Sequence, residues 1–173
     1  MRALLPLLVA VVLLPLFALA QESAPLQRYI ENLYLGDGLE DIQKVYAPLR
    51  GWPSHEEPRA RVTRYRVDPG AAQGLGPAVA TLWLGFKRGR LVEAQFIYTA
   101  AYTREKPVEA LVDELALTYG EPRNTNGKFW WADGKTVLRV FYAEVPVTRH
   151  GVQETELRTS LQLLEASLFE RTN

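Results

Sequence analysis

The feature that most constrains the fold is a row of three strand-like segments in the first half of the chain, at residues 62–68, 78–86 and 91–99. The first segment alternates in polarity, and the other two are rich in β-branched and aromatic residues, as strands with one buried face are. The four polar residues 87–90 suit a hairpin turn between the second and the third segment. Together these segments predict three antiparallel strands.

Helical patterns precede these strands. Apolar residues spaced three and four apart predict one helix that starts near residue 25 and a second that runs from residue 37 to Pro48. The stretch 50–58, which carries one glycine and two prolines, is interpreted as a loop.

The same layout recurs in the second half. A helix opens at Pro107 and stops at Gly120, and strand-like segments follow at residues 128–131, 136–145 and 157–163. The chain therefore predicts an α+β domain: an antiparallel sheet of about six strands with helices packed on one face.

An internal repeat would explain this recurrence. Two αβββ-type repeats, at residues 24–100 and 103–171, fit the order of the predicted elements. The two halves share little sequence identity, so coincidence is the alternative.

Short motifs in both halves carry a family resemblance. Residues 35–42 read Leu-Gly-Asp-Gly-Leu-Glu-Asp-Ile and lead to Pro48, and residues 119–122 read Tyr-Gly-Glu-Pro. With the order helix, helix and three antiparallel strands, they resemble the SmpA/OmlA-type envelope module, whose tandem version builds the β-lactamase inhibitor protein fold. The chain lacks the lipobox cysteine of those lipoproteins and the disulfides of the inhibitors. The resemblance implies a binding or assembly module without chemistry of its own.

The first twenty residues have the pattern of a secretory signal peptide. Arg2 gives a positive start, residues 3–16 are apolar apart from two prolines, and Ala18-Leu19-Ala20 offers a small-x-small cleavage site. The alternative is an uncleaved membrane anchor, but the run is short, because a spanning helix needs about 20 apolar residues. We expect cleavage near Ala20, which leaves residues 21–173 as one exported domain, periplasmic or secreted, with no stable membrane anchor.

Charge and cysteine content narrow the function classes. The chain has 20 Lys and Arg against 20 Asp and Glu, so its formal net charge of zero gives no general attraction to nucleic acid. It contains no cysteine, so disulfides cannot stabilise it and an apolar core must do so.

Patterns that indicate catalysis or a cofactor are missing. Residues 55–59 start like a zinc-protease motif, but Arg59 stands where the second histidine is needed. The glycines at 70, 74 and 76 are not followed by the Gly-Lys-Ser/Thr of a phosphate loop, and the sequence has no Gly-x-Ser-x-Gly elbow. We predict no metal, no cofactor and no enzymatic activity.

Arginine and aromatic residues are the remaining candidates for a binding surface, because both are enriched at binding hot spots. Arg64 and Arg66 share one face of a predicted strand, and the adjacent Trp130 and Trp131 must point to opposite faces of another. A solvated sheet face and ordinary core packing are the alternatives. The candidate binding residues are Arg64, Arg66, Arg88, Arg90, Trp83, Trp130 and Trp131.

The expected function is a non-catalytic protein-interaction or assembly module of the cell envelope, which uses an open sheet face to hold an envelope or secreted protein partner. The alternative is a binder of a small anionic or amphipathic ligand held between sheet and helices. An enzyme of unfamiliar design ranks third. The oligomeric state is left open.

Overall fold

A computed structural model describes residues 25–172, with side chains as far as residue 169. The predicted signal segment, residues 1–20, lies outside the described residues. The strands are β1 (Tyr29–Ile30), β2 (Leu33–Tyr34), β3 (Ser54–Glu57), β4 (Val62–Val67), β5 (Val79–Lys87), β6 (Arg90–Tyr98), β7 (Arg123–Thr125), β8 (Lys128–Ala132), β9 (Thr136–Arg149) and β10 (Val152–Glu165). The helices are α1 (Leu39–Val45), α2 (Ala100–Glu105), α3 (Val108–Tyr119) and α4 (Ala166–Thr172).

Eight of these strands form one antiparallel sheet in the order β3-β4-β5-β6-β10-β9-β8-β7. Each half of the chain supplies four consecutive strands, and the two groups join where β6 pairs with β10. The remaining two strands, β1 and β2, form a small hairpin. The last strand of each half therefore lies at the centre of the sheet, and the first lies at an edge.

One face of the sheet carries the main core. Side chains from β5, β6, β9 and β10 pack there against α1, α3 and the β1–β2 hairpin. Phe96, Leu82 and Val140 are fully buried in this layer, as is Val108 at the start of α3. Burying a large apolar side chain contributes about 1.5–3 kcal/mol to folding, so this face is the main source of stability.

The opposite face has a smaller apolar cluster at one end. There α4 packs over β9 and β10, and Leu168 contacts a group that includes Val62, Val137 and Leu164. The middle of this face is left to polar side chains.

The prediction of an α+β domain with about six strands and helices on one face is wrong. The chain is mostly β, its sheet has eight strands, and the helices within residues 25–172 are few and short. The additional strands are β3 and β7, one at each edge, and both consist of polar residues with no alternation. Short, charged edge strands protect a sheet from further pairing, but they lack the periodic pattern that identifies a strand in sequence.

The predicted helix near residue 25 is also wrong. The segment forms the β1–β2 hairpin, and Glu31 in its turn has a φ of 53°, which ends any helix there. Ile30 and Leu33 are paired across the hairpin, and both are buried. A spacing of three between buried apolar residues therefore fits a tight hairpin as well as a helix. The predicted αβββ repeat is wrong as well, because each half of the chain contributes four strands to the sheet rather than three.

A candidate ligand-binding site on the second face of the sheet

A single row of side chains crosses the second face, which is the face that carries α4. Strand pairing places its members directly opposite one another, so all of them point to the same side. From one edge to the other the row reads Arg66, Trp83, Gln95, Gln162, Arg139 and Trp130. Three polar or charged side chains, Gln95, Gln162 and Arg139, are adjacent in the middle of this row. They give this face a polar centre, whereas the opposite face carries the main apolar core.

The neighbouring row contains an ion pair between a half-buried arginine and a buried glutamate. Arg64 on β4 and Glu93 on β6 are separated by β5, where Gly85 is paired with both. Arg64 donates to Glu93 Oε2 from Nη2 at 2.8 Å and from Nε at 3.1 Å. The pair forms because Gly85 has no side chain: a Cβ there would lie 3.0 Å from Glu93 Oε2 and from Val62 Cγ1.

Gln162 completes the environment of this carboxylate. Its Nε2 donates to Glu93 Oε1 at 2.5 Å, and Gln162 is only 6% exposed. A carboxylate accepts hydrogen bonds, so the amide nitrogen of Gln162 must face Glu93 and its Oε1 must face away. Among the residues that the structure describes, this buried Oε1 has no hydrogen-bond partner.

Arg139 is the cross-strand neighbour of Gln162. Its guanidinium lies 5.1 Å from the ring centre of Phe141 and 5.7 Å from that of Phe169, within cation–π range. Its Nε is buried, and no side chain or backbone group in the described part of the chain accepts a hydrogen bond from it. Burial lowers the pKa of Arg139 and the nearby Glu93 carboxylate opposes that shift, so the arginine keeps its charge at neutral pH.

These groups line one cavity of about 230 Å³. Its polar wall contains Arg64, Glu93, Gln162 and Arg139, while its apolar wall includes Phe141 and, from α4, Leu168. Arg139 also lines a smaller cavity of about 90 Å³, together with Trp130 and Phe169. Among the described side chains that line the larger cavity, two arginines face one glutamate, which leaves one surplus positive charge.

The structure divides the sequence-predicted residues into two groups. Arg64, Arg66, Trp83 and Trp130 lie together on the second face. Arg66 pairs with Asp68 at 3.0 Å and lies over the Trp83 ring at 6.0 Å.

The other three predicted residues lie elsewhere. Trp131 is buried in the main core on the opposite face and donates from Nε1 to the Gly120 carbonyl at 2.7 Å. Arg88 is an exposed turn residue between β5 and β6, and Arg90 donates to the carbonyl of Gly36 at 3.2 Å.

Sequence reasoning missed Glu93, Arg139 and Gln162. The available signal was a charged residue inside an apolar strand, as in Leu91-Val92-Glu93-Ala94 and Val137-Leu138-Arg139-Val140. A charged residue in such a position is seldom buried unless it is paired. This pattern marks candidates for a buried polar site without showing which of them meet.

A third cavity, of about 190 Å³, lies on the other face between the β1–β2 hairpin and α3. Its walls are mainly apolar, with Leu115, Leu138 and Leu163 among them. Of the two buried unpartnered side-chain atoms in the described residues, neither lies in this cavity.

Comparison of the chain with protein-family models, with curated proteins and with solved structures found no match. Within residues 25–172, no helix is long and apolar enough to cross a membrane. In the same range, no group of three or more histidine, aspartate or glutamate side chains is placed to hold a metal ion.

Proposed function

We propose that the protein is a non-catalytic binding protein for a small anionic molecule, held in the cavity beside Arg139. One observation carries the proposal: Arg139 and Gln162 line the same cavity, and Arg139 Nε and Gln162 Oε1 are buried atoms without hydrogen-bond partners among the described residues. An unpaired buried polar group costs about 1–3 kcal/mol, and more when it is charged. An anion in the cavity would supply the missing partner for Arg139 and offset its surplus charge.

The neighbouring ion pair supports an anion rather than a cation as the ligand. Glu93 is already engaged by Arg64 on one oxygen and by Gln162 on the other. The carboxylate therefore has its main hydrogen-bonding capacity filled, and among the described side chains of the wall Arg139 is the arginine without a carboxylate partner. The polar wall is also pre-arranged, which lowers the entropy lost on binding.

Thermal unfolding in the presence of small carboxylates, phosphates and sulfonates tests this proposal. A ligand at 100 times its Kd stabilises a protein by about 2.7 kcal/mol, which raises Tm by about 5–10 °C for a domain of this size. We expect a saturable rise for at least one of these anions. The rise should disappear in Arg139→Met and persist in Arg88→Gln, which removes a charge from an exposed turn far from the cavity.

Two outcomes would contradict the proposal. One is the absence of a saturable shift with any of the three anion classes. The other is an equal shift in the parent protein and in Arg139→Met.

We propose in addition that the protein acts outside the cytoplasm, after cleavage near Ala20. The first twenty residues support this through their charge, apolar run and small-x-small site. The intact mass of the protein recovered from the envelope or the medium tests it. A chain that begins at Gln21 is expected, and a chain that retains residues 1–20 would contradict cleavage.

A protein partner is the second candidate function, and a different part of the molecule favours it. Strands β9 and β10 extend past their neighbours as a two-stranded ribbon, since β6 reaches β10 only at Ser160 and β8 reaches β9 only at Val140. An isolated two-stranded hairpin is marginally stable in water. This ribbon therefore suits the addition of a third strand.

The pairing pattern shows which ribbon edge is open. The Thr159 amide donates to Thr103 Oγ1 at 3.0 Å, so it points away from β9. Hydrogen-bonded and non-hydrogen-bonded pairs alternate along an antiparallel ladder, so the amides of Leu157 and Thr155 point the same way. Pro146 is paired with Thr155 and has no amide hydrogen, which blocks the β9 edge. An extended segment of an envelope protein would add to β10.

Crosslinking of a tagged chain in its native envelope, followed by mass spectrometry, tests this second candidate. Thr155→Pro removes one outward amide and should abolish recovery of the partner, whereas Thr155→Val keeps the amide and should not. Equal recovery with both variants would exclude strand addition at this edge.

A further inference from the structure

We infer that the ligand is a small monocarboxylate that carries a hydroxyl or N–H donor on the carbon next to the carboxylate, as an α-hydroxy acid or an N-acyl amino acid does. This inference rests on the proposed function and specifies the chemistry of the same cavity. It follows from the arrangement of Arg139 and Gln162, from the charge around them and from the apolar wall.

The two unpartnered groups are side by side. Arg139 and Gln162 are directly opposite each other on β9 and β10. Opposed residues on one face of an antiparallel pair have Cβ atoms about 4.5–5.5 Å apart. The unpartnered donor and the unpartnered acceptor therefore belong to neighbouring side chains of the cavity wall, a spacing that suits two adjacent groups of one small molecule.

The donor favours a carboxylate. The planar guanidinium presents its N–H groups in a fork that matches the two oxygens of a carboxylate. Among the described side chains of the wall, the charges of Arg64, Arg139 and Glu93 sum to a single positive charge, which one monoanion neutralises. A phosphate monoester carries about −1.5 to −2 at pH 7 and would leave excess negative charge beside Glu93.

The acceptor requires a donor on the ligand. Gln162 cannot turn its amide around, because Glu93 Oε1 holds the nitrogen at 2.5 Å. The carbonyl therefore stays directed away from Glu93 and can only accept. A carboxylate without a neighbouring donor would leave this oxygen buried and unpaired, whereas a hydroxyl or N–H group would satisfy it. Sites of this kind reject analogues that lack the polar group.

The rest of the ligand is small and apolar. Phe141, Leu164 and Leu168 line the cavity beyond the polar wall. At about 230 Å³ the cavity is below the range of about 300–1,000 Å³ that is typical of drug-sized ligands. An aliphatic or aromatic substituent on the α-carbon fits this surface.

Matched pairs of compounds test the inference by isothermal titration calorimetry. Lactate and propionate differ in the α-hydroxyl, as do mandelate and phenylacetate, and 1-phenyl-1,2-ethanediol keeps the hydroxyl but lacks the carboxylate. We expect the hydroxy acid of at least one pair to bind at least ~10-fold more tightly than its partner, since an unpaired buried acceptor costs about 1–3 kcal/mol. The diol should not bind.

Two variants assign the effect to the named residues. Gln162→Met should reduce the preference for the hydroxy acid to about 2-fold or less, because the acceptor is gone, as expected for a discrimination that depends on one hydrogen bond. Arg88→Gln should keep the full preference. Gln162→Met also removes a hydrogen-bond partner of Glu93, so circular dichroism must show that the variant folds. If it does not fold, the comparison of paired compounds in the parent protein still tests the inference.

The outcomes separate the two proposals. Equal affinity within both compound pairs, with binding that still requires Arg139, overturns the donor requirement and leaves anion binding intact. No binding of any of the four carboxylates, with a saturable Tm rise for a phosphate or a sulfonate, overturns the carboxylate class alone. No response to any anion overturns the inference and the proposed function together.

Discussion

The two faces of the central strands differ in what they bury, although they are made of alternating residues of the same segments. On β6, Phe96 points into the helix-covered core, while its neighbours Glu93 and Gln95 lie on the second face. On β9, Val140 belongs to the core and Arg139 to the cavity. In each of these strands, the residues that point to the core face thus supply stability. The residues that point to the second face place polar groups there, and these cost stability unless they are paired.

The largest expected effect lies on the core face. Phe96→Ala should lower the free energy of unfolding by about 3–5 kcal/mol, because the side chain is 1% exposed and leaves a cavity. Urea denaturation measures this. The adjacent control is Gln95→Ala on the second face, which removes one hydrogen bond to Ser160 and should cost about 1 kcal/mol. Similar losses in both variants would remove the contrast between the faces.

A smaller effect is expected where the ion pair crosses the sheet. Gly85→Ala should cost about 1–3 kcal/mol and displace Glu93, because the added methyl group meets Glu93 and Val62 at 3.0 Å. Gly51→Ala is the matched control, since a Cβ there has open space, and it should cause no loss of stability. If Gly85→Ala is neutral, the ion pair does not depend on the space above that glycine.

The N-terminal hairpin depends on one carboxylate next to β9. Asp133 accepts hydrogen bonds from the amides of Leu26 and Thr136 at 2.8 Å and from that of Lys135 at 3.0 Å. Burial opposes ionisation of Asp133, but these three hydrogen bonds together lower its pKa. Asp133→Asn should cost about 1 kcal/mol at neutral pH, because the amide replaces one accepting oxygen by a donor.

The pH dependence of that effect has a defined sign. A carboxyl group whose pKa is lowered by folding stabilises the protein above its unfolded pKa of about 3.9 and loses that contribution as the pH falls through the folded pKa. The difference in unfolding free energy between parent and Asp133→Asn should therefore shrink below pH 4. A difference that stays constant from pH 7 to pH 2 would mean that the charge of Asp133 is not involved.

The central strands could be predicted because their pattern is strong and local. β4, β5 and β6 alternate or are rich in β-branched and aromatic residues, and the positions of Trp130 and Trp131 on opposite faces follow from the strand period of two. The edge strands β3 and β7 could not be predicted, because nothing in four or three polar residues distinguishes them from a loop. Their pairing is decided by the neighbouring strand.

The residues that meet in the candidate site could not be predicted from the sequence, because their contacts also depend on strand pairing. Glu93 and Gln162 are 69 positions apart, and they meet only because β6 pairs with β10 in one particular register. A shift of one residue would send either side chain to the other face. Arg64 was predicted as part of a contact surface, but its reach to Glu93 depends on the gap at Gly85.

Arg139→Met tests the central claim most directly, by comparing unfolding free energy and anion affinity in the same variant. We predict that the free energy of unfolding stays within about 1 kcal/mol of the parent or rises, while anion binding is lost. The reason is that an apolar side chain replaces a half-buried charge without a carboxylate partner among the described side chains. Arg158→Met is the matched control: that arginine is also half-buried but is paired with Glu156, so its loss should destabilise the protein without affecting binding. A fall of more than about 2 kcal/mol in Arg139→Met with anion binding intact would contradict the account.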